Sequence, residues 1–290
     1  MMTIALPIWN SRDIVWLPME GLCRQQTTRE WELIVMECAS PKETGAEFFE
    51  DYWERLKKVG CKRMLYIYTG ARLPLGQKWK EMAKRAKGEW FLLQASDDYP
   101  HPRRLEVTNL NGYDWYHTRF FHSYSCASGG LILFDKLTSD YWKTGNDMAM
   151  YTDAVKRLPD NNMNKGVDFY LFGNIATKPL LDEEVYAGLN TNGHNAISLT
   201  REWHFKRPKP PYKKTYRTID ELGVPKDIVE RLKKIKVMEN EPVKAKLNGK
   251  FMHYCRGDIR KFNFRTFGTL QIEGLASLEN REYYEKELSC

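Results

Sequence analysis

The chain has 290 residues with 45 Lys/Arg against 38 Asp/Glu, a formal net charge of +7, and its 42% hydrophobic content excludes a fibrous or disordered chain. Its length suits one large α/β domain or a domain with an appendage, and no run approaches the roughly 20 apolar residues that a membrane-spanning helix needs. No basic segment leading into an apolar run marks a signal peptide; the six cysteines (Cys23, Cys38, Cys61, Cys126, Cys255, Cys290) form no CxxC pair, which fits reduced thiols in a cytoplasmic protein better than a disulfide framework or zinc site.

From the N-terminus, Thr3-Ile-Ala-Leu-Pro-Ile-Trp9 is a short apolar strand. Asn10 or Ser11 is placed to cap the helix that follows through Trp16, Leu17, Met19 and Leu22. Trp31–Met36 is a second strand ending at Glu37. Pro41 opens a second helix with Phe48, Phe49, Tyr52, Trp53 and Leu56 on one face. Lys62–Tyr68 is a third strand, Gly76–Lys87 a third helix, and Glu89–Leu93 a fourth strand. Strands alternating with helices through short connections predict a Rossmann-like, mostly parallel, doubly wound sheet with right-handed crossovers. There is no GxGxxG after the first strand and no GxxxxGK[ST], which argues against a dinucleotide or P-loop site.

The fourth strand ends in Asp97-Asp98, followed by Tyr99 and Pro100. Open α/β sheets bind ligands beyond the carboxyl ends of their strands. Adjacent carboxylates repel and stay ionised together only beside a cation, hydrogen-bond donors or water. A hard divalent metal carrying phosphate oxygens fits that need; a solvated Asp-Asp turn is the plain alternative.

Five stretches in order, Pro7-Ile-Trp-Asn10, Trp31-Glu-Leu-Ile-Val-Met-Glu37, Gly76-Gln-Lys78-Trp-Lys80, Ala86-Lys-Gly88-Glu89-Trp90 and Ser96-Asp97-Asp98, resemble a family 2 glycosyltransferase of the GT-A fold. The resemblance covers residues 3–105 and extends more faintly to about residue 200. It implies a nucleoside-diphosphate-sugar donor, with a UDP-sugar favoured, contacted by Pro7, Asn10, Glu37, Lys78 and, at the ribose, Asp97. It implies Mn²⁺ or Mg²⁺ held by Asp98 and by His194 in the loop Gly188–Asn195. Gly129 and Gly130, in a small-residue stretch, would let the backbone approach the donor sugar; alone they also read as a turn. Asp168, in Asn164-Lys-Gly166-Val-Asp168, would be the base of an inverting transfer, with Asp147 and Asp153 as weaker competitors; its plain alternative is a helix N-terminal acid. The chain departs from the pattern at Ala95, where the family's acidic turn has its first acid, at Glu37, one methylene longer than the usual Asp, and at Lys80, where Asn is common.

Beyond the acidic turn, Tyr113–Tyr116 and Arg119–His122 read as strands. A catalytic domain over residues 1–204 and a basic region over residues 205–290 are expected. Residues 206–265 hold 18 Lys/Arg against 7 Asp/Glu, a surplus of 11, so the remainder of the chain is net negative by 4. Lys206, Arg207, Lys209, Lys213 and Lys214, in a Pro-rich extended segment, point to a polyanionic acceptor, of which a hydroxymethylated base in DNA is one form; a solvated basic surface is the alternative. Lys261–Phe267 alternates as an amphipathic strand. Two further readings stay open: a transferase building polysaccharide on a glycan or lipid, and an inactive nucleic-acid-binding protein on a transferase scaffold.

Overall fold

The computed structural model describes residues 1–40, 42–108, 115–125, 129–135, 148–159, 179–192, 212–214, 219, 222, 224–234, 243–246, 259–262 and 283–289. In chain order the first half runs β1 (Met2–Ile8), α1 (Trp16–Leu22), β2 (Trp31–Cys38), α2 (Ala46–Lys58), β3 (Cys61–Thr69), α3 (Leu75–Arg85), β4 (Trp90–Leu93), β5 (Asp98–Pro100) and α4 (Arg104–Val107). There follow β6 (Trp115–Ser125), β7 (Leu131–Asp135), β8 (Ala149–Tyr151), α5 (Thr152–Lys156), β9 (Pro179–Asn192), β10 (Tyr212–Lys214), α6 (Lys226–Lys233), β11 (Val243–Lys246), β12 (Ile259–Phe262) and β13 (Tyr283–Ser289).

The centre of the sheet is four parallel strands in the order β4-β1-β2-β3. All eight residues of β2 are buried, because helices cover both faces. Alternate residues of each strand serve opposite layers. Ile4, Leu6, Leu33 and Val35 pack with Met19 and Leu22 of α1 and with Phe49 and Leu56 of α2. Ala5, Ile34, Met36, Leu65 and Ile67 pack with Trp79 and Met82 of α3 on the other face. This is the doubly wound arrangement that the alternating pattern predicts.

Antiparallel strands flank the parallel centre, so the whole sheet is mixed. β13 adds to β3, β8 adds to β4, and β6, β7 and β10 follow in turn. The short β5 pairs antiparallel with β9, which runs parallel to β6. The two strands read between Tyr113 and His122 are one, β6. β10 and β13, both beyond residue 204, are strands of this same sheet. α6 likewise joins a shared core, its Ile228, Val229 and Leu232 packing with Trp16, Tyr99 and Tyr124. Separately, β11 and β12 pair with each other.

Two helix starts differ from expectation. α1 begins at Trp16, and neither Asn10 nor Ser11 caps it through a side chain; instead the Ser11 carbonyl accepts from Ile14 and Val15 N–H, forming a turn before the helix. α2 begins at Ala46, behind Gly45 at φ 83°, so the chain after residue 41 first forms a loop. No helix among the described residues is long and apolar enough to cross a membrane.

Candidate functional site

The carboxyl ends of β1, β2, β3 and β4 lie at one edge of the sheet, and residues expected to act there arrive from β1, β2, β4 and α3. From β1, Pro7 is half-buried opposite Met36. Asn10 takes a left-handed backbone conformation, φ 49°, and its N–H donates to Ser40 Oγ at 3.0 Å. The next residue, Ser11, has its hydroxyl 3.0 Å from both the Trp9 carbonyl and Ser96 Oγ, tying the end of β1 to the acidic turn.

From β2, Glu37 is fully buried. Its carboxylate accepts from Thr44 N–H at 3.0 and 3.1 Å, from Gly45 N–H at 3.3 Å and from the Tyr66 hydroxyl at 2.7 Å. Burial and this carboxylate together push the Tyr66 hydroxyl pKa upward. Glu37 therefore fixes the loop between β2 and α2.

Two cations sit beside these ends. Lys78, on α3, is buried, and its ammonium donates to the Ile8 carbonyl at 3.0 Å. Burial pulls its pKa down, opposed by Cys38 and Glu37 and reinforced by Arg72. Arg72, in the loop after β3, stacks 3.4 Å over the Trp9 ring. Among the described residues no carboxylate pairs with it, and burial pushes its pKa down to about 10. Two basic side chains at a sheet edge, neither in an ion pair with a carboxylate among the described residues, make an anion-attracting corner.

From β4 comes the acidic turn. Asp97 is 3% exposed and Asp98 is half-buried. Gln94, also buried, donates from its side-chain amide to the Ala95 carbonyl at 3.0 Å and the Asp98 carbonyl at 2.9 Å. The Gln94 side-chain oxygen accepts from Arg104, whose second guanidinium nitrogen donates to the Leu93 carbonyl. Sideways from the turn, Asp98 pairs with Asn190 of β9, and Asn190 with Ser123 of β6.

Gly129 and Gly130 close the β6–β7 connection: Gly129 N–H donates to Ser125 O at 2.8 Å, and Ser125 N–H to Gly130 O at 2.9 Å. Gly129 has φ 69°, a conformation that glycine adopts without strain. Asp168, His194, Lys206, Arg207 and Lys209 lie outside the described residues, as does Asp147. Asp153 lies in the first turn of α5. Lys213 and Lys214 are in β10, opposite Leu133 and Ile132.

Gln94, Arg104, Arg72 and Tyr66 were not singled out from the sequence, and Ser11 was read only as a helix cap. Gln94 carried a usable signal, since an amide between an apolar strand and an acidic turn is buried and must find partners. Arg72 and Arg104 carried none that separates them from other arginines.

The sequence matches no family model and no curated protein sequence, so the likeness to known proteins is carried by structure. The crystallised TarS fragment from S. aureus superposes with a TM-score of 0.50 at 15% identity, over 66% of this chain and 60% of that one. The same fragment in complex with UDP gives 0.51 at 15%, and in complex with UDP-GlcNAc 0.50 at 18%, each over 66% of this chain. The fold is that of the GT-A glycosyltransferases. The chain spans about 60% of the length of the TarS fragment. Within this GT-A fold, the edge described above lies beyond the carboxyl ends of the parallel strands, where open α/β sheets place ligands.

A divalent cation is the group that the family resemblance implies. Among the described residues no cluster of three His, Cys, Asp or Glu side chains gathers. What the GT-A edge offers is the carboxylate pair Asp97-Asp98. That fits Mg²⁺-type coordination, which draws one or two carboxylates from the protein and the rest from water and substrate phosphates.

Proposed function

We propose that the protein is a metal-dependent glycosyltransferase that moves a sugar from a nucleoside diphosphate, with UDP favoured, to a hydroxyl acceptor. The observation that carries this reading is the Asp97-Asp98 turn at the carboxyl end of β4, braced from β1 by Ser11 and from below by Gln94, in a GT-A fold. Asp98, with His194, would hold Mn²⁺ or Mg²⁺, and Asp97 would take the ribose. When bound, the metal neutralises charge on the leaving diphosphate. Lys78 and Arg72 supply positive charge on the donor side. Lys78 also holds the Ile8 carbonyl, and with it the approach to Pro7 and Asn10. Glu37 would help hold the nucleotide, and it also fixes the loop after β2. Gly129 and Gly130 leave room for the sugar.

Asp168 would accept the acceptor hydroxyl proton as its oxygen bonds to the anomeric carbon. The bond to the diphosphate oxygen breaks in the same step, its electron pair leaves with the nucleotide, and the anomeric centre inverts. The acceptor is read as a polyanion, of which DNA carrying a hydroxymethylated base is one form. That reading rests on the basic surplus of residues 206–265, including Lys206, Arg207, Lys209, Lys213 and Lys214. Mass spectrometry of candidate acceptors incubated with mixed nucleotide sugars and Mn²⁺ tests it, by reporting transferred mass and acceptor class together.

A further inference from the structure

We infer that Gln94 and Arg104 form a positioning pair that sets the shape of the acidic turn and thereby its affinity for the divalent cation; the inference rests on the function proposed above. The turn departs from the acidic pattern at Ala95, which brings no polar side chain to it. In its place the Gln94 amide spans the turn from inside, reaching the carbonyls of Ala95 and Asp98 at 3.0 and 2.9 Å. Those carbonyls bracket the stretch that carries Asp97. The Gln94 backbone N–H donates to Ala5 O at 2.9 Å, so the residue that spans the turn is itself continuous with the β1–β4 ladder.

Arg104 completes the arrangement. Its planar guanidinium forks between the Leu93 carbonyl, the last of β4, and the Gln94 side-chain oxygen. The fork fixes which way round the amide sits: oxygen toward Arg104, nitrogen toward the turn. Gln94 is 2% and Arg104 5% exposed, so water competes little for either. Arg104 is in turn held by α4, whose approach to the core is set by Gln25: its side-chain nitrogen donates to His101 O at 2.9 Å and its oxygen accepts from Leu105 N–H at 3.2 Å. A chain of buried and partly buried hydrogen bonds thus runs from Gln25, just after α1, through α4 to the acidic turn. Neither Gln94 nor Arg104 is a metal ligand in this reading; they hold the backbone from which Asp98 projects. Outer partners of this kind typically tune metal affinity about 10- to 100-fold.

The test compares wild type with Gln94→Glu and Arg104→Lys. Gln94→Glu keeps an oxygen for Arg104 and loses the N–H donors to the turn. Arg104→Lys keeps the charge and loses the fork. Free Mn²⁺ is followed by electron paramagnetic resonance in titrations with and without UDP, and folding by near-ultraviolet circular dichroism. The expected result is a folded protein whose Mn²⁺ affinity in the presence of UDP falls about 10- to 100-fold in Gln94→Glu, with a smaller loss in Arg104→Lys. Folded variants with wild-type Mn²⁺ affinity overturn the inference. So does loss of the folded signal in both, which would make the pair a requirement of the core. Absence of Mn²⁺ binding by the wild type overturns the proposed function itself, and the positioning role with it.

Discussion

The hydroxyls of Ser11 and Ser96 lie 3.0 Å apart, although 85 residues separate them in the chain. Ser11 follows the left-handed turn at Asn10 after β1, and Ser96 sits inside the acidic turn after β4. Because β1 and β4 are adjacent and parallel, their exits meet, and this pair joins them. Ser96→Ala is expected to lower stability by about 1 kcal/mol, the net worth of one such hydrogen bond. It should also weaken UDP binding severalfold. Urea unfolding and calorimetry on the same preparation check both.

At the opposite end of the sheet, Arg63 reaches from β3 to Glu32 on β2 at 2.6 Å, with side chains 8% and 0% exposed. Glu32 also accepts from Thr3 Oγ1 and from the N–H groups of Lys87 and Gly88. Removing one partner of a buried pair leaves a charge without compensation. Arg63→Met is therefore expected to cost about 3–5 kcal/mol, read from the urea midpoint, with no specific loss of donor affinity in the protein that remains folded.

Acid sensitivity should trace to Glu20. Hydrogen bonds from Arg55 and Arg24 outweigh its burial and pull its pKa down to about 2. A carboxylate depressed in the folded state adds stability above the ordinary carboxylate range. That stability is lost as pH falls from there toward about 2. In Glu20→Gln the acid limb of the stability–pH curve should be shallower than in wild type, with the two curves converging at the lowest pH. Parallel curves would rule out this assignment.

Arg72 and Lys78 are expected to act on donor affinity more than on stability. Hydrogen bonds to charged groups are worth about 1.5–3 kcal/mol, which corresponds to about 10- to 100-fold in a dissociation constant. Arg72→Ala should weaken UDP binding within that range, measured by calorimetry, and leave the Trp9 side chain more exposed to fluorescence quenchers.

The central fold was legible because β1 to β4 are buried on both faces and α2 and α3 carry one apolar face each, so pattern and environment agree. The place of the acidic turn was legible because the apolar run of β4 stops just before it and Pro100 follows, while its use was not, since two carboxylates after a strand also make a solvated turn. β13 was not: Tyr-Tyr-Glu-Lys-Glu-Leu-Ser has charges where a strand is expected to be apolar. It pairs antiparallel with β3 over seven residues, and its charges find partners set by the tertiary fold: Glu287 meets Arg63 at 3.0 Å, Lys286 meets Glu50 at 2.5 Å, and Glu285 meets Arg85. The expected side-chain cap at Asn10 or Ser11 misread the same chemistry, since Ser11 turns its hydroxyl toward Ser96 rather than to a helix N–H. Glu37 shows the limit from the other side. The family resemblance implies a nucleotide contact for it, while the loop that comes back to meet its carboxylate is a non-local event that no local pattern signals.

The most direct test of the account is calorimetric titration of UDP into the protein with Mn²⁺ present, wild type against Asp98→Asn. Asp98→Asn preserves the shape of the side chain and removes its charge. Wild type should bind UDP in a Mn²⁺-dependent manner, with binding lost or weakened at least about 10-fold in the variant, while both remain folded. Metal-independent UDP binding that is equal in the two proteins, or no binding of UDP by the wild type, would contradict it.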